Sequence, residues 1–158
     1  TIGHRATDMT SGEVRYKRSR FSTRLLRRRL YTAGHSWLEH QDNDCWRVGF
    51  TKFATRMLGE VVEVGFETQT GQNVETGQVV GWVEGFKAVT DIFSPLSGRF
   101  ERFNPRLDDD IALLTNEPYT TGWLLEVHGK PGSDCIDVDG YVALLDTTID
   151  KMLGRRHE

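Results

Sequence analysis

The stretch Gly81-Trp-Val-Glu-Gly-Phe-Lys-Ala-Val-Thr-Asp-Ile-Phe-Ser-Pro-Leu-Ser-Gly98 contains two strand-like runs that meet at a single lysine, Lys87. In the run before that lysine, Val80 and Trp82 are expected on one face of a strand and Val79 and Val83 on the other. The turn residues Ser94–Gly98 predict a second change of direction. Lys87 is the only lysine between Lys52 and Lys130, and a lone lysine on a hairpin is ordinarily a solvated surface charge.

Short alternating runs recur outward from this stretch and predict a mostly β protein. Cys45–Phe50 and Glu60–Glu67 both read as strands, and turn residues separate such runs about every ten positions. This spacing is typical of a small sandwich or barrel. Within the second run, Val62, Val64 and Phe66 are expected to share one face.

Two segments depart from the alternation and predict helices. Thr51–Gly59 begins with a capping threonine and ends with a glycine, so we expect a short helix that joins two strands. Asp139–Gly154 carries apolar residues at helical spacing, and this apolar stripe needs a sheet to cover it.

Length and charge limit the possible classes of protein. The chain has 158 residues, which is enough for one compact domain. Its formal net charge of −3 argues against nucleic acid as the main partner, and it has no apolar run long enough to cross a membrane. Residues 1–30 contain nine Arg or Lys and two Asp or Glu, whereas the rest is acidic. We therefore divide the chain into a basic arm over 1–30, a folded domain over 31–154 and a tail over 155–158.

The basic arm has two interpretations. The favoured one is a surface arm that folds back on the acidic body, and the alternative is a mitochondrial transit segment, which would also be rich in arginine and poor in acidic residues. Cys45 and Cys135 form no Cys-x-x-Cys pair and require no oxidising compartment. His35 and His40 do not match a common zinc spacing, so no metal site is predicted.

No catalytic motif is present in the sequence. It lacks the Gly-x-Ser-x-Gly, His-Glu-x-x-His, phosphate-loop and dinucleotide-binding patterns. His35 lies beside Ser36, but neighbours on an extended strand face opposite ways, which argues against a catalytic pair. We expect a protein that is not an enzyme.

The string around Lys87 resembles the lipoyl-attachment segment of the glycine cleavage system H proteins. That family carries Glu-Ser-Val-Lys-Ala, then Asp, then a Ser/Ala-Pro-x-Ser-Gly turn. The matching residues here are Glu84, Lys87, Ala88, Asp91, Ser94, Pro95, Ser97 and Gly98. The resemblance continues in the family's order over residues 31 to about 128, including Gly34-His-Ser-Trp37 and Asn116-Glu-Pro-Tyr119.

The resemblance implies a fold, a cofactor and a set of partners. The fold would be a barrel-sandwich hybrid of the lipoyl and biotinyl type with a short internal helix and a C-terminal helix. Lipoate would be attached to Lys87, with Glu84, Ala88 and Asp91 beside it. The carrier would shuttle an aminomethyl group between glycine decarboxylase, aminomethyltransferase and dihydrolipoamide dehydrogenase, after a lipoate ligase or lipoyltransferase has modified it. We expect a monomer in the bacterial cytoplasm, with the mitochondrial matrix as the alternative location.

Two departures from the family keep other functions open. The family's first strand reads Ser-His-Glu-Trp, whereas this chain has Gly34 and Ser36 at the first and third positions, so only Asp91 remains of the residues that the resemblance assigns to the aminomethyl cargo. An H-like lipoate carrier of another pathway, such as sulfur-compound oxidation or lipoyl relay, and an unmodified interaction domain are therefore alternatives. Biotin is disfavoured because Phe86 and Ala88, rather than methionines, flank Lys87.

Overall fold

The structure, a computed structural model, describes residues 4–8 and 12–156. Residues 1–3 and 9–11 of the basic arm, and 157–158 of the tail, lie outside the described residues. As predicted, the described part is mostly β. The strands are β1 His4–Asp8, β2 Glu13–Arg18, β3 Phe21–Leu26, β4 Leu30–Tyr31, β5 Ser36–His40, β6 Cys45–Phe50, β7 Val61–Phe66, β8 Asn73–Val74, β9 Val79–Gly85, β10 Val89–Phe93, β11 Leu96–Phe103 and β12 Leu125–Pro131. The helices are α1 Lys52–Leu58, a 3-10 turn Pro105–Asp108, α2 Leu113–Asn116 and α3 Val138–Arg156.

Two antiparallel sheets enclose the larger apolar core. The first has the strand order β4-β5-β6-β12-β11-β8, and the second has the order β10-β9-β7. Both contribute to one cluster, because alternate side chains of each strand point inward. Its fully buried members include Leu38, Val80, Val83, Leu96, Leu114, Leu124, Leu125 and Val127. This arrangement is the sandwich that the alternating runs predict.

Helix α1 forms where its capping residues predict it. The Thr51 side-chain oxygen accepts a hydrogen bond from the Ala54 N–H at 3.5 Å. Gly59 ends the helix with a φ of 74°, and its N–H donates to the Thr55 carbonyl at 3.0 Å. Only glycine adopts that left-handed conformation without strain, so the sequence specifies where the chain leaves the helix.

The face predicted for β7 is partly wrong. Val61 is buried and Val62 is 47% exposed, whereas Val64 and Phe66 pack against the core as expected. The register with β9 shifts between Val61 and Glu63, which marks a β-bulge. A bulge inserts one residue and reverses the alternation on one side of it. Simple period-two counting therefore places Val62 on the wrong face.

The described part of the basic segment packs against α3. Strands β1, β2 and β3 form a third antiparallel sheet. The Tyr16 hydroxyl donates to Asp146 at 2.7 Å, and the Arg18 guanidinium pairs with Asp146 at 3.2 Å and Asp150 at 2.9 Å. The second apolar cluster joins Val14, Tyr16, Phe21 and Leu25 to Tyr141, Val142, Leu145 and Ile149. Division of the chain at residue 30 stays a prediction.

Helix α3 reaches Arg156, two residues beyond its predicted end. Among the residues that the structure describes, no helix combines the length and the apolarity that a membrane span requires.

Candidate functional site

Lys87 lies at the tip of the hairpin between β9 and β10. Strand β9 ends at Gly85 and β10 begins at Val89, so three residues make the connection. The Lys87 side chain is exposed, and its ammonium forms no hydrogen bond or ion pair within the described part of the chain. The lysine is therefore accessible to a modifying enzyme, and covalent attachment there would break no polar contact of the described residues.

The backbone of this tip is fixed although its side chain is free. The Lys87 N–H donates to the Leu58 carbonyl at 2.8 Å, and the Phe86 N–H donates to the Glu60 carbonyl at 3.0 Å. A third hydrogen bond, from the Gly85 N–H to the Ala88 carbonyl at 2.9 Å, closes the turn itself. These bonds connect the tip to the end of α1 and the start of β7, which holds the base of the lysine side chain in place.

Two glycines allow this close approach. A Cβ on Gly85 would lie 2.2 Å from the Leu58 carbonyl oxygen, and a Cβ on Gly59 would lie 2.9 Å from Cγ of Lys87. Real Cβ atoms do not approach other heavy atoms so closely, so larger residues would push the tip away from α1. Gly85 stands where the family that this sequence resembles has serine, and the structure gives it a packing role.

A cleft of about 580 Å³ lies beside the hairpin. Gly34, Ser36, Ala88 and Asp91 all line it, so the structure brings together the positions that the resemblance assigns to the cargo. Asp91 follows Lys87 by four residues, which is roughly 13 Å along an extended strand. The remaining wall is largely apolar, with contributions from Phe50, Phe53, Met57, Leu58, Ile92 and Phe93.

Glu84 is not brought to the cleft with the other predicted residues. It is exposed on β9, where its backbone pairs with Val89 on one side and Glu63 on the other. The cleft-lining residues do not include it. Within the described residues, Glu84 therefore does not replace the carboxylate that Ser36 lacks.

His35 is a cleft residue that the sequence did not indicate. Its backbone has a φ of 68°, so it precedes strand β5 rather than alternating within it, and both His35 and Ser36 line the cleft. Nδ1 of His35 is 2.8 Å from the Tyr141 hydroxyl, which is in turn 2.7 Å from Thr51 Oγ1. Burial lowers the pKa of His35 to about 4, so the imidazole is neutral at pH 7.

The loop before α3 contributes Asp134 and Cys135 to the lining of the cleft. Asp134 is a second carboxylate there besides Asp91. Burial raises the pKa of the Cys135 thiol, which keeps it protonated and unreactive. These positions lie more than forty residues from the hairpin in sequence, so no local motif could assign them to it.

Comparisons with known proteins agree on one family. Residues 29–139 match the family described as "Glycine cleavage H-protein". A glycine cleavage system H protein of Photorhabdus laumondii is 35% identical over 119 residues, which cover 73% of this chain and 91% of that protein. The protein of the same name from Mycobacterium tuberculosis is 37% identical over 120 residues, which cover 76% and 86%.

A solved structure is similar as well. The crystal structure of a glycine cleavage system H protein from Mycobacterium marinum superposes with a TM-score of 0.69 at 31% sequence identity. The superposition covers 75% of this chain and 97% of that one. The barrel-sandwich architecture predicted from the sequence is thereby confirmed.

Proposed function

The chain belongs to the glycine cleavage H-protein family, and on that premise we propose that it is a non-catalytic carrier with lipoate attached to Lys87. It would shuttle an aminomethyl group between glycine decarboxylase, aminomethyltransferase and dihydrolipoamide dehydrogenase, and a lipoate ligase or lipoyltransferase would modify it. The observation that supports this most is an exposed, unpaired Lys87 on a fixed backbone beside a cleft. The proposal includes a monomer in the bacterial cytoplasm.

The residues around Lys87 fit an attached acyl group. The missing side chain of Gly59 leaves space along the lysine stem, as the 2.9 Å approach of Cγ shows. Amide formation removes the ammonium charge, which costs no ion pair among the described residues because Lys87 has none. The apolar wall of the cleft suits a hydrocarbon arm, since burying such surface is favourable by roughly 25 cal/mol per Å².

The division of roles follows from this geometry. When bound, lipoate supplies a redox-active dithiolane on a flexible arm. The chain presents the lysine on a hairpin that α1 holds in place, and the Asp91 carboxylate is available in the cleft to pair with a cationic amine. Attachment keeps the reacting group at high effective concentration near each partner enzyme.

Replacing Lys87 tests the attachment site. We expect Lys87→Arg to abolish the lipoyl mass increment in intact-mass measurements, because arginine keeps the charge but not the acylatable amine. The melting temperature should change little, since the exposed tip side chain packs against few atoms. Lys130→Arg is the matched control and should be modified like the wild type. A lipoyl increment on the Lys87→Arg variant would overturn the proposal.

A second candidate function is supported by the cleft itself. Gly34 and Ser36 line it where the family that the sequence resembles has Ser and Glu, and Glu84 stays outside. The charge-assisted hydrogen bond that a Glu at position 36 would give a cationic cargo, worth roughly 1.5–3 kcal/mol, is therefore missing at that position, and the carboxylates among the described cleft residues are Asp91 and Asp134. This favours an H-like lipoate carrier that serves another pathway.

Restoring the carboxylate distinguishes the two candidates. The lipoylated chain is loaded with glycine and the decarboxylase, and decay of the loaded species is followed by mass. For glycine cleavage with a weakly held cargo, we expect Ser36→Glu to slow decay about tenfold, because that bond is regained. Thr147→Glu, on the exposed face of α3, adds the same charge outside the cleft and should change nothing. Failure to load a lipoylated chain would instead favour the other pathway.

A further inference from the structure

The hairpin of β2 and β3 carries an exposed cationic surface. Arg15, Lys17 and Arg24 lie on the side of the hairpin opposite the one that covers α3, Arg20 is exposed in the turn between the strands, and Arg56 is exposed on α1. We call these five residues the basic face. The hairpin precedes residue 29, where the match to the family begins, so it is an addition to the shared fold.

Contacts with α1 hold the basic face close to the carrier lysine. Phe21 packs edge-on against Phe53 with ring centroids 5.4 Å apart, and the Arg56 guanidinium carbon lies 5.6 Å from the Phe21 ring. The Lys52 ammonium donates to the Ser22 carbonyl at 2.7 Å. Two residues beyond Arg56, the carbonyl of the last residue of α1 accepts the hydrogen bond from the Lys87 N–H. Arg56, the member of the basic face that lies on α1, is therefore two residues from the residue that anchors the Lys87 backbone.

The charges on this face are unfavourable for the isolated chain. Arg15 lies directly opposite Arg24 in the β2–β3 register. Like charges at opposed positions destabilise a sheet, and among the side chains that the structure describes Glu13, 3.9 Å from Arg24, is the carboxylate paired with them. A surface that served stability alone would alternate the signs. A cluster of exposed cations creates a positive potential that attracts an anionic partner.

We propose that the basic face is a docking surface for an acidic protein surface, on an enzyme that acts on the arm carried by Lys87. The proposal rests on the proposed carrier function. Helix α1 contacts both the β2–β3 hairpin and the backbone of Lys87, so a partner bound to the basic face would sit on the element that positions the lysine. Its acidic residues would pair with Arg15 and Arg24 and remove their mutual repulsion.

The surroundings of Lys87 favour a protein over a nucleic acid. Glu63 and Glu84 are exposed and directly opposite each other on the sheet that carries the tip, and Glu60 is exposed just before β7. An extended polyanion that covered the basic face and passed Lys87 would be repelled by these carboxylates. A folded partner can confine its acidic residues to the basic face, and the glutamates then orient it.

Neutralising the opposed arginines tests the proposal. The four proposed partner enzymes are assayed with wild type, the Arg15→Gln/Arg24→Gln variant, and the Arg99→Gln/Lys130→Gln control, which loses the same charge elsewhere. We expect the first variant to raise KM about fivefold for at least one enzyme at low salt, with kcat unchanged. The difference should disappear near 0.5 M salt, because screening removes it. The variant should also melt at or above the wild-type temperature, since a repulsive pair is gone.

Three outcomes would overturn the proposal. The first is an equal KM for both variants with every enzyme. The second is a rise in KM that persists at high salt, because it would indicate a change in structure. The third is that the Arg15→Gln/Arg24→Gln variant loses the wild type's binding to a 20-base-pair DNA duplex or to anionic vesicles, while its KM with every enzyme is unchanged. Should the wild type carry no lipoyl mass, the carrier function fails, and a titration with poly-L-glutamate followed by NMR still tests the face through shifts at residues 15–24.

Discussion

His35 couples ionisation to folding in this molecule. Burial lowers its pKa to about 4, whereas an exposed histidine titrates near 6.5. Between these two pH values the His35 imidazole binds a proton in the unfolded chain but not in the folded chain. Stability from His35 is therefore complete above about pH 6.5 and is lost as the pH falls toward 4. The contact of 2.8 Å between Nδ1 of His35 and the Tyr141 hydroxyl holds the ring in this position.

We expect the unfolding free energy to fall between pH 6.5 and 4.5, and His35→Asn to remove about 2 kcal/mol of that fall. Asparagine tolerates the positive φ of this position, so the variant should fold. Urea unfolding at a series of pH values measures the effect. Asp150, whose pKa is lowered by its hydrogen bond with Arg18, loses its contribution only at lower pH. Parallel curves for wild type and variant would contradict the prediction, and His40→Asn is the control.

Some residues of the candidate site can be placed together from the sequence because they are close to one another in it. Lys87, Ala88 and Asp91 lie within one short hairpin, so a local string is enough to place them together. His35 joins the cleft through a left-handed backbone and a partner 106 residues away. Neither property leaves a local pattern, and the rule that neighbours alternate fails where the strand has not yet begun.

Helix caps are the local sequence signal that best predicts where a secondary-structure element of this chain begins and ends. Thr51 and Gly59 specify both ends of α1, because each satisfies a backbone group that the helix leaves unpaired. The prediction that Val62 faces the core is wrong, because the bulge in β7 depends on its pairing with β9, which local periodicity cannot show. A bulge therefore limits what pattern counting can predict.

In the hairpin of β2 and β3, the many basic residues obscure the alternating pattern that predicts strands. Val14 and Tyr16 alternate with Arg15 and Lys17 at period two, so the signal of a half-buried strand was present. The pattern is obscured further because Arg18, a charged residue, occupies an inward position. Its burial is possible because Asp146 and Asp150 on α3 pair with it. A partner more than 120 residues away is what makes that position acceptable for a charge.

The whole molecule is built on two apolar clusters with different tasks. The larger one, between the two sheets of the barrel, supports the hairpin that carries Lys87. The smaller one holds α3 between the barrel and the β2–β3 hairpin. Tyr141 connects the two regions, since it packs in the smaller cluster while its hydroxyl contacts His35 in the cleft. The added hairpin can therefore influence the cleft through α3.

Removing residues 1–28 tests this arrangement, because the shortened chain begins at residue 29, where the family match starts. We expect the barrel to remain folded and Lys87 to be lipoylated, since the larger cluster lies within the retained residues. Helix α3 loses the cover of Val14, Tyr16, Phe21 and Leu25. Each buried side chain of this size contributes roughly 1.5–3 kcal/mol, so the unfolding free energy should fall by at least about 3 kcal/mol.

Hydrogen exchange followed by mass spectrometry shows where that loss occurs. Amides of α3, residues 138–156, should exchange much faster in the shortened chain, whereas those of β9 to β12 should stay protected. Tyr16→Ala in the full chain should give an intermediate increase confined to α3, because it removes one apolar contact and the hydrogen bond to Asp146. Equal protection of α3 in all three proteins would mean that the barrel alone holds the helix. Faster exchange throughout the barrel would mean that the two clusters fold as one unit, with the β2–β3 hairpin required for the structure around Lys87.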